Sequence, residues 1–127
     1  MTERAELRRL REICRALPDV EERLSHGTPA FFTKNNQFLH YWDNHHEDGR
    51  LAIWCAAPIG MQEALTTADP KRFFRPPYVR HRGWLGVNLD QDPDWKEIEH
   101  IVGYAHRTVS TPAKRSTRSE GQPGPRR

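Results

Sequence analysis

Apolar residues at Leu7, Leu10, Ile13, Cys14 and Leu17 recur every three or four positions, which marks one face of a helix. Thr2 is the expected N-cap, and Glu3 falls in the first turn, where a carboxylate suits the helix dipole. Pro18 ends the helix because it cannot extend the hydrogen-bond ladder. After a turn cluster at 25–29, the runs AFFT (30–33) and FLHYW (38–42) flank a polar KNNQ connection and predict a β-hairpin. A second turn, DNHHEDG (43–49), leads into a third strand, LAIWC (51–55). Ile59, Met61, Ala64, Leu65 and Ala68 predict a short helix over 59–68, begun after Pro58 and stopped before Asp69-Pro70. Phe73-Phe74 could open a strand, but Pro76-Pro77 lack amide donors and confine it to an edge or a bulged turn. Residues 83–89 alternate, with Trp84, Gly86 and Asn88 on one side and Leu85, Val87 and Leu89 on the other. That predicts a strand with one buried face. A last helix starts near 92–94, where Asp94 and Glu97 have capping-box spacing, and carries the stripe Ile98, Ile101, Val102, Ala105 and Val109. The order predicts an α+β domain, an antiparallel twisted sheet covered on one face by the N- and C-terminal helices.

Composition changes this picture at one end only. The chain has 127 residues and 35% apolar side chains, below the usual ~45–50%. The stretch AKRSTRSEGQPGPRR from Ala113 onward has no large apolar group to offset the entropy of ordering. The expectation is a single domain over 1–111 and a disordered basic tail over 112–127. Five cations against Glu120 give the tail +4 of a formal total of +3, leaving the body at −1. The body is therefore not basic throughout, but residues 71–82 hold Lys71, Arg72, Arg75, Arg80 and Arg82 with no acid. A local patch of that kind can bind anions whatever the total charge.

Other features narrow the function. Cys14 and Cys55 stand apart, outside any CxxC pair, and read as small core residues. The start lacks an apolar leader and no run approaches a membrane span, so a cytoplasmic protein without membrane association, and a monomer, is expected. The arginine row Arg4, Arg8, Arg11 and Arg15 interleaves with Glu3, Glu6 and Glu12, as on a solvated helix face with local ion pairs. His45-His46-Glu47-Asp48 has no third ligand at metal-site spacing. His100 and His106 are six apart, not the i, i+4 of a zinc pair, and are expected to be exposed. No nucleophile elbow, phosphate loop, dinucleotide fingerprint or HExxH motif occurs, so neither an enzyme, a metal nor a cofactor is expected.

Four segments carry a resemblance: ALPDVEE (16–22), HGTPAFF (26–32) followed by QF (37–38), GRLAIWC (49–55), and DPKRFFRPPYVRHRGWLGVNLD (69–90). Together with DPDWKEIEHIVGYAHRTV (92–109), this ordered set resembles the MmcQ/YjbR family of small bacterial proteins, described as DNA-binding-like with a frataxin-like (CyaY-like) fold. Typical members often carry tryptophan where this chain has His26. The resemblance implies two helices on a twisted antiparallel sheet, and points towards DNA as a partner.

The residues themselves support two functional expectations. In one, Lys71, Arg72, Arg75, Arg80 and Arg82, with His81 as a hydrogen-bond partner, contact nucleic-acid phosphates. Nothing resembles a base-reading helix-turn-helix or an RNP motif. In the other, sheet aromatics Tyr41, Trp42 and Trp54, together with Tyr78, meet the basic segment and form a pocket for an anionic small molecule or peptide. The competing structural reading places Phe73, Phe74, Tyr78 and Trp84 in the core, with Trp42 and Trp54 as a cross-strand pair inside it, and makes Pro76-Pro77 a rigid corner.

Overall fold

The computed structural model describes residues 4–44 and 49–110. The expected cap at Thr2 and Glu3, the HHED turn at 45–48 and the basic tail lie outside the described residues. The elements run α1 (Ala5–Arg15), β1 (Val20–Ser25), β2 (Thr28–Thr33), β3 (Asn36–Asp43), β4 (Leu51–Cys55), α2 (Met61–Ala68), β5 (Phe73–Phe74), β6 (Leu85–Asn88) and α3 (Trp95–Ser110). The six strands form one antiparallel sheet in the order β1-β2-β3-β4-β6-β5. The fold class is α+β, as the pattern predicts.

Two tight turns set the register of the first three strands. His26-Gly27 and Lys34-Asn35 all have positive φ, the geometry of two-residue turns whose twist matches the flanking strands. One irregularity follows in β3. Phe31 pairs with Leu39 and Phe32 with Gln37, so Phe38 is an extra residue, a β-bulge. Side chains alternate across a strand, but the bulge places Gln37 and His40 on the same face despite a spacing of three.

That face is not the one the long helices cover. α3 lies across β3 and β2, and α1 packs against α3. Leu10 and Cys14 of α1 and Ile98, Ile101, Val102 and Ala105 of α3 close the core over Phe31, Leu39, Ile53, Leu85 and Val87. Asp94 caps α3 by accepting hydrogen bonds from the backbone N–H groups of Lys96 and Glu97. Cys14 and Cys55 are buried free thiols, and burial pushes the Cys55 thiol up to about 12.

Several expectations are corrected here. β1, with the sequence VEERLS, was not expected as a strand; it gains its order by pairing along β2 at the sheet edge. Three arginines of the predicted row pair with carboxylates across the fold. Arg4 pairs with Asp43 at 2.7 Å, and Arg11 and Arg15 pair with Glu22 at 2.7 and 3.6 Å. His106 is buried, not exposed: its Nε2–H donates to the Pro18 carbonyl at 2.8 Å, and its ring meets Phe38 edge-on. β6 is buried on both faces, because Trp84, Gly86 and Asn88 are covered as well as Leu85 and Val87.

Gly86 explains how β5 closes the sheet edge. A Cβ there would fall 2.4 Å from the Phe74 ring, which itself lies under the Arg50 guanidinium at 3.9 Å. The ring is held on both sides, so it has little room to retreat. Gly86→Ala is therefore expected to lose about 1–3 kcal/mol of stability, the usual cost of overpacking. A urea titration would show this as a lower midpoint at unchanged slope.

Candidate functional site

β3 and β4 build the floor of the open face. His40 and Trp42 point the same way from β3, and Trp54, opposite His40, joins them from β4. The rings pack as a continuous row: His40 to Trp42 at 4.2 Å and Trp42 to Trp54 at 4.9 Å between centroids. His40 Nε2–H donates to the Ser25 carbonyl at 3.0 Å, which ties the row to the β1–β2 turn. His26 in that turn lies 6.2 Å from the His40 ring.

The segment between β5 and β6 forms the opposing wall. Its chain turns through Pro76-Pro77 to Tyr78, which has a left-handed φ of 71°, a costly conformation for a bulky side chain. A short 3-10 turn at Arg80–Arg82 follows and ends at Gly83, whose φ of 80° a glycine adopts without strain. One side chain on α2 clasps this segment. Gln62 Nε2 donates to the carbonyls of Arg80 and Trp84 at 2.9 and 2.6 Å, while its Oε1 accepts from Arg75 Nε–H at 3.1 Å. Gln62→Ala removes all three bonds at once. Hydrogen exchange across 75–84 is expected to speed up several-fold while the α3 amides keep their protection, because the loss is local.

Between floor and wall lies a pocket of about 650 Å³, lined by Trp42, Trp54, Trp84, Tyr78, Val79 and Arg82, with Ser25, His26, Gln37 and His40 at the turn side. Among the described residues, no aspartate or glutamate lines it. Arg82 stacks over Trp84, with its Cζ 5.0 Å from the ring, and has no carboxylate partner among the described residues.

The expected basic residues divide into three groups. Arg72 leaves the anion-binding set, because it pairs with Asp69 and with Glu97, each at 2.8 Å, and so ties the start of β5 to α3. That hydrogen bond holds the Asp69 carboxyl below the usual carboxylate range. Arg82 alone of the set reaches the pocket. Lys71, Arg75, Arg80 and His81 are exposed outside it, and Lys71, Arg75 and Arg80 have no carboxylate partner among the described residues.

The aromatic set divides too. Trp42, Trp54 and Tyr78 line the pocket, but Tyr41 does not. It precedes Trp42 on the same strand and so points to the helix side, where burial pushes its phenol up to about 12. His26, Gln37, His40, Trp84 and the clasp Gln62 were not expected at the site. For His40, the i, i+2 relation to Trp42 was the available signal.

A family model described as YjbR matches residues 15–108. The fold is similar to the crystal structure of the Deinococcus radiodurans protein DR2400, of the family-model domain DUF419. The TM-score is 0.69 at 18% identity, over 86% of this chain and 80% of that one. At that identity the likeness shows the fold alone. No curated protein matches the chain.

Proposed function

The chain belongs to the YjbR family, and we propose that it acts as a non-catalytic binding module whose open-face pocket takes an anionic small molecule or the anionic group of a peptide. The observation that carries this reading is Arg82, a cation without a carboxylate partner among the described residues, in a pocket lined by aromatic rings and by no described aspartate or glutamate. A guanidinium offers planar, paired donors to carboxylate or phosphate. A thermal-shift screen tests the reading. A phosphorylated or carboxylated compound at a hundred times its Kd should add about 2.7 kcal/mol and raise Tm by several degrees, while its uncharged counterpart does not. If no small anion raises Tm, the pocket reading fails.

A second reading rests on a separate observation. Lys71, Arg75, Arg80 and Arg82 are exposed along one segment and none has a carboxylate partner among the described residues. Such a row suits the phosphates of a DNA strand. Each phosphate contact should steepen the fall of log affinity with log salt by about 0.9 for duplex DNA. Binding absent even at low salt would remove this reading, and stabilisation by polyanions alone would favour it over the first.

A further inference from the structure

Resting on the pocket reading above, the shape, walls and charge of the site narrow the ligand further. A volume of about 650 Å³ falls within the ~300–1,000 Å³ of sites that enclose a whole small molecule. A bare phosphate or sulfate would leave most of that space to water. Much of the wall is apolar: the indoles of Trp42, Trp54 and Trp84 line the cavity, Trp42 half-buried and the other two showing it only a small part of their surface. Such surface gains most from a ligand that is itself flat, through apolar contact and offset stacking.

A ring-lined pocket can also serve cations, since ring faces attract positive charge. Here charge argues against it. No described aspartate or glutamate lines the pocket, and the Arg82 guanidinium already occupies the Trp84 face at 5.0 Å, where it would repel a second cation. The same guanidinium is positioned to receive a negative group at the pocket rim, and Gln37 adds a neutral donor and acceptor. We infer that the ligand is a planar aromatic or heteroaromatic acid, a carboxylate or a phosphate monoester. Its ring lies against the indoles and its anionic group pairs with Arg82.

Four probes decide this by isothermal titration of the full chain: phenyl phosphate, inorganic phosphate, phenol and benzyltrimethylammonium. The expected result is that phenyl phosphate binds about tenfold or more tighter than either inorganic phosphate or phenol, the gain of one stacked ring on one charge contact. Benzyltrimethylammonium should be the weakest. Equal affinity for inorganic and phenyl phosphate would overturn the aromatic ligand and leave the anion pocket standing. Equal affinity for phenol and phenyl phosphate, or preference for the ammonium, would overturn the charge assignment in both readings. Failure of all four to bind would remove the pocket reading and this inference with it.

Discussion

Phe38→Ala is expected to remove about 3–5 kcal/mol of stability, the usual cost of truncating a buried phenylalanine. Phe38 is fully buried, edge-on to His106, and is also the extra residue of the β3 bulge. Against a total of about 5–15 kcal/mol for a domain, that loss is a large fraction of the stability. Denaturant unfolding would measure it. The bulge is what brings Gln37 onto the same face as His40, so any folded variant should also bind anions less tightly. A loss below about 1 kcal/mol would mean that the site collapses around the vacancy and that the bulge does not depend on this ring.

Arg82→Ala is expected to weaken binding of a small phosphorylated compound about ten- to a hundredfold, the range for one charged hydrogen-bonding group. Because Arg82 is exposed and bonded to no described acid, its removal should leave stability within about 0.5 kcal/mol of the parent. Lys71→Ala and Arg80→Ala serve as contrasts. Both lie outside the pocket, so they should leave small-anion affinity nearly unchanged while reducing the salt slope of any DNA binding by about one contact each. Equal effects of all three substitutions on a small anion would place the charge contact on the loop surface and not in the pocket.

These contrasts follow from what the chain pattern revealed and what it hid. The stripes of α1 and α3 were legible because each helix buries one face at its own period, and β6 was legible as a strand from its alternation, though not as one buried on both faces. β1 was not, since VEERLS offers two apolar side chains and owes its order to pairing with β2. The second buried face of β6 was hidden for a tertiary reason: the Phe74 ring lies over Gly86, Asn88 Nδ2 donates to the Lys71 carbonyl, and Arg82 stacks on neighbouring Trp84. Among the site residues, the basic segment was visible as charge, but sequence could not separate Arg72, spent on Asp69 and Glu97, from Arg82. Tyr41 and Trp42 could have been separated, because adjacent strand residues point to opposite faces. The pairing of Gln37 with His40 could not, since it depends on a bulge.

The most direct measurement follows the indole Nε1–H resonances in a nitrogen-15 correlation spectrum as phenyl phosphate is added. Trp42, Trp54 and Trp84 line the pocket, whereas Trp95 sits on α3 beneath Arg9 and serves as an internal control. The account predicts that the three pocket indoles shift together along one binding curve while Trp95 stays in place. Movement of Trp95 alone, or no movement of the other three at saturating ligand, would contradict it.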